Sequence, residues 1–255
     1  MTSETAIIDK AASNLRDVRP EMAAGGYSSV NGTIDFYLRI DSLCHADMTV
    51  LDLGAGRGQQ IIDAATPLHQ RLLKLQGRVK RIVGADVDPI VRENTFIDHA
   101  EVIVPGERMP FADAEFDLIY ADWVLEHVAT PQQFADEIAR ILKPGGWFCA
   151  RTPNRWGFTG MVTNLVPSKH HAGIVGKLQP GRQAIDVFPT TYKLNTRGRL
   201  RRYFRPDTWL DCSYVHNPDP PYVLRSKLAI HLVNLYFRLT PPFLRNNLHI
   251  FLQKR

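Results

Sequence analysis

Three glycines at alternate positions, Gly54, Gly56 and Gly58, follow directly on the apolar run Val50-Leu51-Asp52-Leu53. A backbone without Cβ atoms can turn sharply there and let a ligand lie against its N–H groups. The spacing selects among ligands. A dinucleotide fingerprint needs Gly-x-Gly-x-x-Gly, whereas position 59 is Gln and the third glycine arrives one residue early, which disfavours a nicotinamide cofactor and hydride transfer. A second apolar run from Arg81 to Ala85 ends in Asp86. A carboxylate at the C-terminal end of a parallel strand can accept two ribose hydroxyls, in the crevice where open α/β sheets bind ligands. Asp86 and Asp88 do not suggest a metal, because no further acids or histidines stand at ligand spacing. Metal dependence is not expected.

The elements that must hold these residues alternate between strands and helices. Strands are expected near Thr49 to Leu53, Arg81 to Asp86, Ala100 to Val104, Asp117 to Ala121 and Trp147 to Thr152, with helical patterns between them. Such alternation predicts a parallel α/β sheet covered on both faces and joined by right-handed crossovers. Thr130-Pro131 marks a helix start, with Thr as N-cap and Pro in the first turn. Phe134, Ile138, Ile141 and Leu142 give that helix its apolar face, and Gly145-Gly146 stop it. Further on, Trp209 to Val215 reads as a sixth strand, Lys227 to Leu239 as a helix and His249 to Gln253 as a short last strand.

The ordered set of Val50 to Gly58, Asp86 behind its strand, Met109-Pro110-Phe111, Ala121 to Val128, and Leu142-Lys143-Pro144-Gly145-Gly146 resembles the class I S-adenosylmethionine-dependent methyltransferases of the methyltransferase-11-like type. The resemblance covers roughly residues 48 to 153. It implies a Rossmann-like, doubly wound, mostly parallel seven-stranded sheet with an antiparallel last strand, S-adenosyl-L-methionine as cofactor and S-adenosyl-L-homocysteine as product. It further implies that Gly54, Gly56 and Gly58 lie under the methionine part, Asp52 near its amino group, Asp86 on the ribose and Val87 beside the adenine, with Ala121 and Trp123 completing the cofactor set. Pro105 stands where an acidic residue is common before the family's Leu-Pro-Phe segment, so Glu107 and backbone groups are the substitutes for adenine recognition. The chain divides accordingly into an N-terminal helical or lid segment (1–47), a cofactor core (48–153), and an acceptor-side insertion that completes the same sheet (154–255).

An in-line attack on a sulfonium methyl needs positioning and, for an oxygen acceptor, removal of a proton. His127 is the candidate general base, since a His near neutral pKa suits that work; the alternative is a His that caps or packs beside Val124, Leu125 and Val128. Glu126 reads as structural. Tyr27, His170 and His171 are candidate substrate contacts. A looser likeness, through Thr152 to Trp156, Asp186 to Thr190 and Tyr192 to Thr196, is to bacterial methyltransferases of glycan or lipid-glycan pathways. It implies O-methylation of a small-molecule, sugar or lipid-linked glycan acceptor. A binding or scaffold protein that keeps the cofactor without turnover is the alternative from another class.

Composition bounds these readings. A chain of 255 residues with 44% hydrophobic residues can bury one substantial core. Three isolated cysteines suggest neither a disulfide framework nor a zinc site, and Met1 to Pro20 carry no signal-type apolar stretch, so a cytoplasmic location is expected. The net charge is +5, and Arg197, Arg199, Arg201, Arg202 and Arg205 form either a phosphate-receiving patch for an anionic acceptor or a solvated helix face. RNA is disfavoured as a partner. Leu228, Leu232, Leu235 and Leu239 form a helical stripe expected to pack against the sheet, with peripheral membrane contact as the alternative. No segment is long and apolar enough to span a bilayer.

Overall fold

Asn31 starts the first long helix through its side chain, which accepts hydrogen bonds from the Thr33 and Ile34 N–H groups, the usual work of an N-cap. That helix, α1 (Gly32–Leu43), buries Ile34, Phe36, Tyr37 and Ile40, positions three and four apart that share one face. The computed structural model describes residues 13–158, 190–219 and 226–255. After α1 come β1 (Thr49–Leu53), α2 (Gln59–Ile62), α3 (Pro67–Leu73), β2 (Arg81–Asp86), β3 (His99–Val102), β4 (Phe116–Asp122), α4 (Pro131–Ile141) and β5 (Leu142–Pro153). The described remainder holds α5 (Arg197–Tyr203), β6 (Trp209–Asp211), β7 (Tyr214–His216), α6 (Lys227–Leu239) and β8 (Asn247–Lys254).

One sheet contains all the described strands, in the order β3-β2-β1-β4-β5-β8-β6, with β7 also on β8. β1 to β5 are parallel and β8 inserts antiparallel beside β5. The fold is thus Rossmann-like and mostly parallel. β1 and β4 occupy the centre and are mostly apolar apart from Thr49, Asp52, Asp117 and Asp122, as suits strands covered on both faces. One core lies under α4 and α5 and includes Leu53, Ile119, Ala121, Ile138 and Phe148; the other lies under α1 and α3 and includes Phe36, Val50, Leu72 and Leu118.

Three local expectations differ from what is observed. The single strand predicted at Trp209 to Val215 is split, so eight strands replace seven. The register nevertheless runs on unbroken, Asp211 opposite Leu252 and Tyr214 opposite His249. At the break the Phe251 N–H donates to the Ser213 side-chain oxygen at 3.2 Å instead of to backbone, and β6 and β7 form one edge interrupted by that substitution. The Lys-Pro-Gly-Gly turn is absorbed into β5: Leu142 already pairs with Phe116, the register shifts, and pairing resumes at Leu118 opposite Trp147. Finally, α6 does not pack through its leucines. Ile230 is buried on one face, while Leu228, Leu232, Leu235 and Leu239 are exposed. Polar anchors, not that stripe, help hold the helix, with Asn234 accepting from Arg19 and Lys227 paired with Asp17.

Candidate cofactor cleft

β1 carries the chain to the C-terminal edge of the sheet, and there Gly54, Gly56 and Gly58 take φ values of +85°, +46° and +77°. Left-handed backbone of this kind strains any residue with a Cβ. Crowding adds a second reason at two of them. A Cβ on Gly54 would clash with Val124 Cγ2, and one on Gly58 would stand 2.7 Å from Phe96 Cδ2. The loop is tied to the neighbouring strand, because the Gly54 N–H donates to the Ala85 carbonyl at 2.7 Å. Asn94 closes it from the other side, its amide donating to the Ala55 and Gly56 carbonyls at 3.2 Å each.

Asp86, at the end of β2, accepts from the Gly56 N–H at 2.8 Å on one oxygen and from the Asp88 N–H at 2.9 Å on the other. Both bonds fix the carboxylate plane while leaving each oxygen a further lone pair. Above this loop lies a cleft of about 1040 Å³, at the upper end of the range for small-molecule sites. The glycine loop, Asp52, Asp86, Val87, Glu107, Trp123 and His127 all line it. His127 closes the short 3-10 turn Leu125–His127, its backbone N–H donating to the Val124 carbonyl at 2.9 Å. Ala121 is different. Successive side chains of a strand alternate in direction, and Ala121 faces the fully buried core while its neighbours Tyr120 and Asp122 face the cleft. Tyr27 packs at the margin of the α1-side core and is not part of the cleft lining. His170 and His171 lie outside the described residues.

Electrostatically the cleft floor is acidic. Burial pushes the Asp52 carboxyl up to about 7; a hydrogen bond from the Tyr120 hydroxyl opposes the rise, and the charges of Asp122 and Asp86 add to it. Asp122 is held by a guanidinium: Arg151 donates from Nε at 2.7 Å and from Nη2 at 2.6 Å, a bidentate pair with both side chains only 5% exposed. Arg151 also donates to Thr33 Oγ1 at 2.9 Å and lies over the Trp123 ring at 4.9 Å. The Tyr37 hydroxyl reaches Asp122 at 3.3 Å. Trp123 itself has φ +60°, a strained backbone held by the donation of its N–H to the Arg151 carbonyl at 2.9 Å and by that stacked guanidinium. Thr33, Tyr37, Asp122 and Arg151 escaped sequence reasoning, because they come from three separated segments and carry no spacing signal. The Trp123-adjacent acid was the one clue.

Residues 190–195 dock on the turn that bears His127. The Glu126 carbonyl accepts from the Thr191 and Tyr192 N–H groups, the Thr191 hydroxyl donates to the Val128 carbonyl at 2.7 Å, and Lys193 Nζ reaches the Ala129 carbonyl at 2.8 Å. The Glu126 side chain is buried and accepts from Thr152 Oγ1 at 2.8 Å. The arginines of α5, and Arg205 just beyond it, are largely engaged within the fold: Arg199 on the Tyr192 carbonyl, Arg197 on the Ser213 carbonyl, Arg201 on Asp211 and Arg205 on Asp207. Among the described residues no group of three or more His, Cys, Asp or Glu side chains gathers as a metal would need, and no helix is long and apolar enough to cross a membrane.

Residues 51–150 match a protein family described as a methyltransferase domain. A probable S-adenosylmethionine-dependent methyltransferase of Mycolicibacterium smegmatis is 30% identical over 138 residues, 51% of this chain and 48% of that protein. A ubiquinone biosynthesis O-methyltransferase of Nitrobacter winogradskyi is 33% identical over 112 residues, 44% of this chain and 41% of that one. The matches thus span about half the length of these relatives or less. Among solved structures, geranyl diphosphate C-methyltransferase of Streptomyces coelicolor A3(2), in complex with Mg2+, geranyl-S-thiolodiphosphate and S-adenosyl-L-homocysteine, shares the fold at a TM-score of 0.52 and 15% identity, over 87% of this chain and 75% of that one.

Proposed function

We propose that the chain, which belongs to the class I S-adenosylmethionine-dependent methyltransferases, moves a methyl group from S-adenosyl-L-methionine to an oxygen of a small-molecule, sugar or lipid-linked glycan acceptor. The observation that carries the reading is Asp86, bonded to Gly56 and aimed at a cleft floored by three left-handed glycines. The donor set suits a cationic nucleoside. Asp52, Asp63, Asp86, Glu107, Asp122 and Glu137 line the cleft together with Arg57, and of these acids Asp122 is paired by Arg151 and Glu137 by Arg140, so a ligand bearing an ammonium and a sulfonium relieves the surplus negative charge.

When bound, S-adenosyl-L-methionine supplies an electrophilic methyl group that an acceptor takes by in-line displacement, leaving S-adenosyl-L-homocysteine. In this reading Asp86 holds the ribose, the glycine loop lies under the methionine part, Asp52 faces its amino group, and Val87 and Glu107 flank the adenine. An imidazole nitrogen of His127 takes the acceptor's hydroxyl proton, and Thr191, docked on the same turn, borders the acceptor side. The N-terminal segment acts through α1, which brings Thr33 and Tyr37 to the cleft as a lid, and the described part of the C-terminal segment borders the acceptor end through Thr191. The unpaired thiols of Cys44, Cys149 and Cys212 suit a cytoplasmic setting.

The test is incubation with labelled S-adenosyl-L-methionine and extracts separated into lipids, glycans, small metabolites and RNA. Label is expected in a lipid, glycan or metabolite fraction. Calorimetry should show binding of S-adenosyl-L-homocysteine but not of NAD, and Asp86→Ala should weaken that binding strongly. His127→Ala should leave binding intact and slow transfer; normal turnover in that variant removes His127 from the mechanism, and no nucleoside binding by the folded wild type removes the whole reading.

A further inference from the structure

The helix α6 has two apolar faces, and among the described residues the fold buries one of them. Ile230, Val233 and Phe237 recur three and four apart on the inward side, where Ile230 is fully buried. Leu228, Leu232, Leu235 and Leu239 recur four, three and four apart on the opposite side and are 68%, 58%, 54% and 75% exposed. A stripe of four exposed leucines on one helix exceeds the scattered apolar residues of an ordinary surface. It does not stand alone. Phe243 follows the helix, and the Asn154 amide donates to the Phe243 and Arg245 carbonyls, which brings the 154–158 segment alongside. Trp156 and Phe158 of that segment are exposed as well, and the Phe158 ring lies 6.2 Å from that of Tyr236.

Charge says what such a face would meet. From Ser226 to Ile250 there is no Asp or Glu, while Lys227, Arg238 and Arg245 are basic and His231 lies beside Arg238 on one flank of the stripe. Arg151 to Phe158 likewise contains Arg155 and no acid. Among the described residues, Asp17 and Asp219 reach this region, in ion pairs with Lys227 and Arg19. An apolar stripe with a cationic flank and, among the described residues, no acid outside an ion pair is complementary to an anionic bilayer surface, where leucines enter the acyl boundary and arginines meet headgroups. A second copy would instead bring like charges together.

We propose that α6 with Trp156, Phe158 and Phe243 is a peripheral docking surface for an anionic lipid bilayer. β5 ends and β8 begins at the same sheet edge where the glycine loop opens the cleft, so docking through this face sets the cleft's edge of the sheet close to the lipid. The surface is separate from the cofactor residues. Vesicle binding needs no turnover, and its failure would leave the methyl-transfer reading untouched.

The experiment is flotation of the full chain with phosphatidylcholine vesicles containing phosphatidylglycerol, and with phosphatidylcholine alone. The protein should float with the anionic vesicles, and Leu232→Glu with Leu235→Glu should lower the bound fraction by about tenfold or more. Arg238→Glu should lower it by roughly fivefold or more, an effect that added salt reduces. Circular dichroism and S-adenosyl-L-homocysteine binding should not change in either variant. Failure of the wild type to float, or flotation of the double leucine variant like wild type, overturns the proposal. So does a concentration-dependent dimer in sedimentation that the leucine changes abolish while vesicles bind nothing, because the stripe would then join two copies.

Discussion

The two ends of the cleft are built on different principles. At the β1–β2 end the geometry is written in the backbone: three glycines in left-handed conformation, two of which have no room for a Cβ, meet a carboxylate held by N–H groups. At the β4–β5 end it is written in side chains, as α1 contributes Thr33 and Tyr37, β4 contributes Asp122, and β5 contributes Arg151 to one buried hydrogen-bonded set. The first kind of construction confines its information to a few consecutive residues. The second spreads it over more than a hundred positions of chain. A backbone-built site should fail through strain when a glycine is replaced, whereas a side-chain-built one should fail through an orphaned charge.

The largest effect is expected at the side-chain end. Arg151→Met removes the guanidinium from a pair in which both partners are buried, leaving Asp122 charged and unpaired, and should cost about 3–5 kcal/mol in denaturant unfolding. The double variant Arg151→Met with Asp122→Asn removes the orphaned charge and should recover much of that loss. If the single variant unfolds within about 1 kcal/mol of wild type, the pair is not what secures this end. Gly54→Ala probes the other end. It forces a Cβ into left-handed backbone and against Val124 Cγ2, and should cost about 2–4 kcal/mol. It should also abolish S-adenosyl-L-homocysteine binding in calorimetry, because the loop must shift to admit the methyl group. Equal binding by this variant would mean the loop does not define the site.

That contrast explains what could be read from the sequence. The glycine spacing, Asp86 at a strand end, and the turn bearing His127 are local features, and the cleft contains all of them. Strand–helix alternation was equally legible, because hydrophobic period reports burial directly, and α6 has the bounds expected from its pattern. Side-chain direction was harder. Ala121 belongs to the core and Tyr120 and Asp122 to the cleft, a difference of one residue in strand phase that no motif encodes. The Arg151–Asp122 pair was invisible for a related reason, since a charged residue in a strand gives no sign of a partner on the neighbouring one. The leucine stripe misled in the opposite sense. Amphipathic periodicity identifies a helix, but α6 is apolar on two faces, and only tertiary structure tells which one the fold covers.

A third, smaller effect joins the two ends, because Asp52 stands between them. Its carboxyl is pushed up to about 7, above the ordinary value for an aspartate, so the folded protein holds this proton between the two values and the unfolded chain does not. The contribution of Asp52 to stability is therefore most favourable at low pH and declines as pH rises through that window. Binding of an ammonium beside it has the opposite dependence. Affinity for S-adenosyl-L-homocysteine should be highest above about pH 8 and fall as pH drops through 7, on the order of tenfold by about pH 5.5. Asp52→Asn should flatten that profile. A profile equally steep in the variant would assign the titration to another group.

The smallest effect is expected on α5, whose arginines make the most conspicuous charge cluster in the sequence. Arg201 meets Asp211 at 3.3 Å with its side chain 58% exposed, and such pairs are weakened by solvent and by the entropy of holding a long side chain. Arg201→Ala should therefore change unfolding by less than about 1 kcal/mol. Arg202 lies over the Tyr203 ring at 5.9 Å, also at the surface. If the cluster were a phosphate-receiving site, Arg201→Ala with Arg202→Ala would remove a steeply salt-dependent affinity for RNA or an anionic acceptor. The carbonyl and carboxylate partners of Arg197, Arg199, Arg201 and Arg205 favour the other outcome, since guanidinium donors already spent within the fold have fewer N–H groups to offer a phosphate. Equal nucleic-acid retention by variant and wild type on a salt gradient would place the cluster among structural features, whereas loss of a steep salt slope would make α5 a third binding region, built from side chains yet legible in sequence.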